Sequence, residues 1–420
     1  MKLNKLSVAF GLLFTCVRFA SAQIVDNPFP AGANPDRIVL NITEAPSTSL
    51  AVTWRTCDTV KNGFAEIIET TANPADFLKA KRFTATPEPL KFENISVLYH
   101  SVILKNLLPK TSYLYRVGSG ENWSEWFQVK TAGNAGDKLS FIYLGDVQIG
   151  IKSLWSQVIR QAYAKMPEAN VVMYAGDIVN RANDDREWGE LFYGGSFIHS
   201  MIPGLMSPGN HEYAKSDDRL SVFWRPQFTL PLNGPAALEE TCYFTDIQGV
   251  RFISLNSNHL EESQTDMASQ KIWLEALLKK NPNKWTCVIF HHPIYSISAN
   301  RDNAWMRDNF KPLFDQYKVD LVMQGHDHAY ARGMKKIKSG GIGFSGTMYV
   351  VSVSGAKMYE ESKKPWMDKL GGHTQLYQLI TVDGNQLLYK CYTAAGKLYD
   401  TFKLLKQAGK KNRLLEEGIR

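Results

Sequence analysis

Five short apolar runs each stop at residues whose side chains can hold metal ions. Leu139-Ser-Phe-Ile-Tyr-Leu runs into Gly145-Asp146, and Val171-Val-Met-Tyr-Ala into Gly176-Asp177. Gly204-Leu-Met-Ser leads to Gly209-Asn210-His211-Glu212, and Thr286-Cys-Val-Ile-Phe to His291-His292. Leu321-Val-Met-Gln ends in Gly325-His326-Asp327-His328. Carboxylates, a carboxamide and imidazoles gathered in one pocket are costly to bury without partners. Divalent cations remove that cost by making the groups ligands, and this donor set is too rich for one ion and suits two. A carboxylate shared by two ions about 3.5–4 Å apart can bridge them. Each fragment alone says little, because Gly-Asp after a strand is usually a turn. Five in series, each closing an apolar run, are the signal.

The elements around them must bring the five ends together. In an open α/β sheet, ligands bind outside the carboxyl ends of the strands. An amphipathic stretch at 153–165 lies between the first two runs and makes a βαβ unit. Further helical patterns fall near 267–280 and 304–317, and 376–405 is again strand-rich. Residues 137–405 therefore read as one α/β domain, followed by a polar C-terminal tail, 406–420. Upstream, residues 23–136 are short alternating runs separated by turn residues, with no helical period. That pattern is an all-β sandwich of immunoglobulin or fibronectin III type.

Residues 1–22 have the form of a secretory signal peptide. Lys2 and Lys5 precede an apolar run at 6–17, and Ala20-Ser21-Ala22 is a small-residue cleavage site before Gln23. The run is too short to span a bilayer, and no other stretch is long enough, so no transmembrane anchor is expected. Secretion, or export to a periplasm, is expected instead. The 420 residues exceed one ordinary domain, and 44% hydrophobic content can fill a sizeable core. A net charge of +7 is too small to indicate nucleic-acid binding. Cys57, Cys242, Cys287 and Cys391 allow three pairings, and Cys242 and Cys287 lie in strand-like runs that suit buried thiols. Three glycosylation sequons, at Asn41, Asn94 and Asn122, are about the number that chance supplies.

The order Asp, Gly-Asp, Gly-Asn-His-Glu, His, Gly-His-x-His resembles the calcineurin-like metallophosphoesterase superfamily. The preceding sandwich makes the chain similar to the purple acid phosphatases over nearly its whole mature length. The resemblance implies a four-layer α/ββ/α sandwich with a dinuclear centre. It implies that Asp146, Asp177 and His328 bind one metal, that Asp177 bridges, and that Asn210, His291 and His326 bind the other. Three positions depart from the pattern. The tyrosine of Gly-Asp-x-x-Tyr is Asn180, which cannot supply a phenolate, argues against a purple iron(III) centre and is left as a weak ligand or a neighbour of the ligands. The histidine that many superfamily members carry in Asp-x-His is Gln148, a weak ligand or a hydrogen-bonding neighbour. The histidine expected nine residues after His291 is Asn300, followed by Arg301, which is either a phosphate clamp or a solvated loop charge. Two divalent or trivalent ions are expected, iron, manganese or zinc, with the first site weaker and open to Mg²⁺ as well.

Charge then sets the chemistry. Two cations neutralise an anionic ester and lower the pKa of a bound water, whose hydroxide attacks phosphorus in line with the leaving alkoxide. Asn210 and His211 are placed to touch the substrate, and His211 to protonate the leaving oxygen. Glu212 is expected to orient a histidine, and His292 to point away from its neighbour and pack. The expected activity is that of an exported phosphomonoesterase acting on small phosphate esters. A phosphodiesterase or nucleotide-cleaving enzyme uses the same metals. A phosphate-binding protein whose centre has decayed would also carry the departures at Gln148 and Asn180.

Overall fold

Alternate residues of Asp36–Asn41, Leu50–Cys57 and Ile95–Leu104, among them Leu40, Trp54 and Val102, share one core with Tyr115 and Phe127, which makes these segments strands of a sandwich. The computed structural model describes residues 27–416, apart from 259, 262, 339 and 340. The expected signal peptide, 1–22, lies outside the described residues. The second sandwich sheet pairs Phe64–Glu69 with Lys81–Thr84 and Ser112–Ser119, and Ser112–Ser119 with Phe127–Lys130.

The first sandwich sheet does not end at the domain boundary. Strand Asp36–Asn41 pairs in parallel with Gly204–Ser207 through Asn41 and Gly204, and Ile42 N–H donates to the Gly204 carbonyl at 3.0 Å. The result is an 11-stranded sheet. From the seam it continues through Val171–Ala175, Leu139–Leu144, Leu376–Asp383, Gln386–Thr393, Leu398–Leu405 and Arg413–Glu416. Sequence periodicity separates two domains at a linker; the hydrogen bonds run across them. Asn41 is fully buried in this seam, so its sequon is closed to modification.

A second, 7-stranded sheet carries Tyr243–Ile247, Val250–Ser254, Trp285–Ile289, Leu321–Gln324 and Gly341–Val351, flanked by Tyr330–Lys338 and Lys369–Gly371. The two sheets face each other across an apolar layer in which the Phe141 and Phe252 rings meet edge to face at 5.2 Å. Helices Ser156–Lys165 and Asp185–Met201 cover the first sheet. Helices Gln264–Lys279 and Ala304–Gln316 cover the second, which completes the four layers. Among the described residues, no helix is long and apolar enough to cross a membrane. Cys242, Cys287 and Cys391 are buried thiols and Cys57 is half-buried, all unbridged.

Two elements differ from expectation. Helix Asp185–Met201 gives little sequence signal, because Gly189, Gly194 and Gly195 lower helix propensity and the chain kinks at Ser196 (φ 38°). Its glycine at 189 is a packing requirement: a Cβ there would sit 2.4 Å from the Phe29 ring. The expected polar tail contains a strand, Arg413–Glu416, paired with Leu398–Leu405. Asn412 Nδ2 (2.6 Å) and Lys406 Nζ both reach the buried Asp320 carboxylate and tie the segment down.

Asp185 joins the long helix to the sandwich. Its carboxylate meets Arg37 Nη1 at 2.7 Å and Arg55 Nη1 at 3.3 Å, and Arg55 also pairs with Asp36 at 2.7 Å. Removing one member of a buried ion cluster leaves the others uncompensated, at about 3–5 kcal/mol. Asp185→Ala should therefore lower the unfolding free energy by that order in a urea titration. A loss below about 1 kcal/mol, the range of an exposed pair, would mean the sheet seam alone holds the two parts together.

Candidate metal centre

Strands Leu139–Leu144 and Val171–Ala175 run parallel in register, so Asp146 and Asp177 leave the sheet at the same edge. Their loops are then zipped: Asp146 N–H donates to the Gly176 carbonyl (3.2 Å) and Gln148 N–H to the Asp177 carbonyl (3.0 Å). Strands Trp285–Ile289 and Leu321–Gln324 do the same in the facing sheet for His291 and the Gly-His-Asp-His segment. Asp146, Asp177, His326 and His328 all have left-handed backbone, with φ of 50°, 53°, 74° and 47°. Each such turn costs on the order of 1–3 kcal/mol for a residue with a side chain. The chain accepts it four times where the strand ends fold into the space between the sheets.

Two groups of side chains result. Asp146, Asp177 and His328 form one, and His291, His292 and His326 the other, each with one donor atom per residue lying within 4.8 Å of its companions. His291 Nδ1–H donates to the Ala175 carbonyl (2.9 Å), which turns Nε2 toward the gap. Around that nitrogen stand Asp177 Oδ2 at 3.2 Å, Asn210 Oδ1 at 3.1 Å and His326 Nδ1 at 3.0 Å. His328 Nδ1–H donates to the Lys357 carbonyl (2.9 Å), and its Nε2 lies 3.8 Å from Asp146 Oδ1.

The arrangement is short of hydrogens. Asp146 Oδ2 and Gln148 Oε1 are buried with no hydrogen-bond partner among the described residues. A buried acceptor left unpaired costs about 1–3 kcal/mol, and a cation is the group that satisfies many acceptors at once. The titration behaviour agrees. Burial pushes the Asp146 carboxyl well above its usual range. Burial would lower His291, yet the carboxylates of Asp177 and Asp146 raise it to about 9. Burial also works against ionisation of Asp177, but His291 holds its carboxyl below the usual range. The protein alone thus draws a proton into this cluster. Burial first, and then Lys357, lower His328 to about 3, which keeps it in the neutral form that binds metals. The residues present therefore fit metal ions.

The structure brings Asp146, Gln148, Asp177, Asn210, His291, His326 and His328 together. Gln148 turns its amide nitrogen toward Asp177 Oδ2 (2.6 Å) and His328 Nε2 (3.2 Å), so a ligating role requires the amide to rotate. Asn180 contributes main chain: its carbonyl accepts from His211 Nδ1–H at 2.6 Å. Glu212 reaches no histidine, contrary to expectation. Fully buried, it accepts the backbone N–H groups of Asp177 (2.8 Å), Ile178 (2.7 Å), Val179 (3.1 Å) and Gly209 (2.7 Å). It thereby braces the Asp177 loop against the Asn210 loop. Arg301 is not a solvated loop charge: Nη1 pairs at 2.5 Å with Asp327, the buried residue between His326 and His328. Strand alternation would pack His292 away from the site, but its ring centroid lies 4.3 Å from that of His326. Alternation fails there because the strand ends at Ile289.

Residues 35–131 match the purple acid phosphatase N-terminal domain, and residues 139–330 the calcineurin-like phosphoesterase domain. Purple acid phosphatase 5 of Arabidopsis thaliana is 24% identical over 323 residues, 73% of this chain and 72% of that protein. Acid phosphatase type 7 of Danio rerio is 28% identical over 267 residues, 56% of this chain and 58% of that protein. An uncharacterized protein of Mycobacterium tuberculosis, Rv2577, is 26% identical over 320 residues, 68% of this chain and 60% of its own length. The chain thus spans about 60% of the first curated relatives it matches. Among solved structures, the purple acid phosphatase PPD1 of yellow lupin seeds superposes with a TM-score of 0.72 at 19% identity, over 88% of this chain and 74% of that one. PhoD superposes with a TM-score of 0.67 at 12% identity, over 93% and 94%. At these identities the likeness is one of fold.

Glu212 offers a test of the geometry. Glu212→Ala should weaken metal binding by about 10–100-fold, the usual effect of removing a group that supports a ligand, read by competition with a chelator. Unchanged affinity would mean that the Asp177 loop holds itself. With iron bound, the protein should show no phenolate absorption band; a band would implicate Tyr359, whose ring lies 4.6 Å from that of His328.

Proposed function

The chain belongs to the calcineurin-like metallophosphoesterases, with the N-terminal domain of the purple acid phosphatases, and on that premise we propose that it is an exported phosphoric ester hydrolase acting first on phosphomonoesters. The observation that carries the reading is the pair of buried acceptors, Asp146 Oδ2 and Gln148 Oε1, that no hydrogen among the described residues reaches, in a pocket shared with Asp177 and His291. In the proposed arrangement Asp146, Asp177 and His328 hold one metal ion. Asn210, His291 and His326 would hold a second, with Asp177 Oδ2 beside His291. Bound there, two metal ions neutralise phosphate oxygens and supply a nucleophile from water near neutral pH.

The chain's own residues do the rest. His211 sits at the boundary between this centre and a cleft of about 1290 Å³. One wall of the cleft is the hairpin at 92–97 of the N-terminal domain; the others are segments 180–186 and 211–216. The Asn180 carbonyl holds His211 Nδ1–H, and Nε2 lies 3.9 Å from Asp177 Oδ2. In this reading Nε2 would stand between the reacting phosphate and a leaving group lying in the cleft. A protonated His211 can stabilise the departing oxygen and give it a proton. The cleft is far larger than a phosphate, which favours an organic leaving group. It also leaves room for a diester, the alternative substrate.

Rates on phenyl phosphate and diphenyl phosphate, after loading with Mn²⁺, Fe²⁺, Zn²⁺ or Mg²⁺, test the reading. The monoester should be favoured, Asp177→Ala should abolish turnover with loss of metal, and His211→Ala should lower kcat by about 10²–10⁴-fold. No turnover of either ester with any metal would overturn the proposal in favour of a phosphate-binding protein.

A further inference from the structure

The peptide between Asn180 and Arg181 is held from both sides. Its carbonyl oxygen faces His211 Nδ1 at 2.6 Å. A carbonyl only accepts, so the hydrogen of this contact sits on Nδ1. The N–H of the same peptide, which belongs to Arg181, donates to Glu187 Oε2 at 2.8 Å. The carbonyl and the N–H of a trans peptide point in opposite directions. His211 and Glu187 therefore lie on opposite sides of one rigid plane. Glu187 Oε2 also accepts the N–H of Asn180, at 2.7 Å, so a single carboxylate oxygen holds two consecutive N–H groups. The position where the resemblance calls for a tyrosine thus supplies main chain that a carboxylate fixes in place.

Glu187 is itself placed from the helix side. It stands in the first turn of Asp185–Met201, behind Asp184, which caps that helix by accepting the N–H of Arg186 at 3.0 Å. Its side chain is 12% exposed, and Oε1 meets Arg181 Nη2 at 3.0 Å. The same turn carries Asp185, which Arg37 and Arg55 tie to the N-terminal sandwich. Hydrogen bonds in a chain polarise one another. A carboxylate that accepts the amide hydrogen puts more negative charge on the carbonyl oxygen across the peptide, and that oxygen faces His211. We propose that Glu187 is a positioning residue for His211, acting through the Asn180–Arg181 peptide: it holds the ring with Nε2 on the Asp177 side and supports it while it carries the proton for the leaving oxygen. The inference rests on the hydrolase reading above and adds to it a residue that acts only through another.

Leaving groups supply the test. Phenolate is a far stronger base than 4-nitrophenolate and gains more from a proton as it departs. The metal-loaded full-length protein is assayed on phenyl phosphate and 4-nitrophenyl phosphate, with metal content measured on the same samples. Wild type is measured first, and no turnover of either ester with any metal sinks the hydrolase reading before Glu187 is examined. Glu187→Gln keeps an acceptor oxygen and loses the charge. It should lower kcat on phenyl phosphate by about 10-fold, the usual worth of a hydrogen bond to an ionised group, with KM and metal content unchanged. On 4-nitrophenyl phosphate kcat should fall by no more than about twofold. Glu187→Ala, which also removes the acceptor, should lower the phenyl phosphate rate further. In a His211→Ala background Glu187→Gln should cost nothing more, because the two residues act as one unit. An equal fall on both esters, loss of a metal, or a fall that multiplies with that of His211→Ala would make Glu187 a support of the fold and overturn the proposal. An unchanged rate on phenyl phosphate would overturn it equally. Should Glu187→Ala fail to fold, Glu187→Gln decides alone.

Discussion

The structure is organised around a deficit of hydrogens. Asp146, Gln148, Asp177, Asn210, His291 and His328 place acceptor atoms in one gap between two sheets, and two of those atoms have no partner among the described residues. Such a cluster would relax if it could, by moving apart or by admitting water. It is prevented at each position by a different device. Glu212 commits its whole carboxylate to four backbone N–H groups and holds the Asp177 loop. The carbonyls of Ala175 and Lys357 fix two imidazole rings. Four left-handed turns are kept in place by the sheets they interrupt. The strain and the unpaired acceptors form one feature: a preorganised shell completed by positive charge.

The continuous sheet makes that shell rigid on its outer side. Gly204–Ser207, which delivers Asn210, pairs on one edge with Val171–Ala175, which delivers Asp177. On its other edge it pairs with the N-terminal strand Asp36–Asn41. The sandwich is thus part of the scaffold that sets the spacing of two site loops. It also furnishes a wall of the cleft beside His211. The buried Arg37–Asp185–Arg55 cluster closes the same junction from the helix side. A shift of the sandwich would reach the site through hydrogen bonds.

What the sequence discloses follows from what each signal measures. Polar residues that stop an apolar run are visible without any partner, so the residues of the centre can be read one strand at a time. The two-layer grammar of strands and helices is visible for the same reason. Partnership is not. Period-two alternation assigns a strand but not its neighbour, so the seam at Asn41 and Gly204 stays hidden. Helix Asp185–Met201 is masked by glycines that serve packing. Glu212 reads as a histidine's partner because three of its four backbone partners come from a loop more than thirty residues away. His292 reads as packing only while alternation is carried past the end of its strand.

The two halves of the centre differ in what a cation must displace. On the His291 side Nε2 already faces the gap, with Nδ1 held by the Ala175 carbonyl and Asn210 Oδ1 3.1 Å away, so a cation need only displace the proton that the carboxylates hold on the ring. Nothing there must turn. On the His328 side the Gln148 amide nitrogen occupies the position between His328 Nε2 and Asp177 Oδ2, bonded to the carboxylate at 2.6 Å. A cation entering there must break a hydrogen bond to an ionised group, worth about 1.5–3 kcal/mol, and rotate the amide. It gains in return the unpartnered Gln148 Oε1 and Asp146 Oδ2. A histidine in place of Gln148 would offer a nitrogen without that exchange. The departure at Gln148 should therefore separate the two affinities, and the His291 side is expected to fill first in a metal titration.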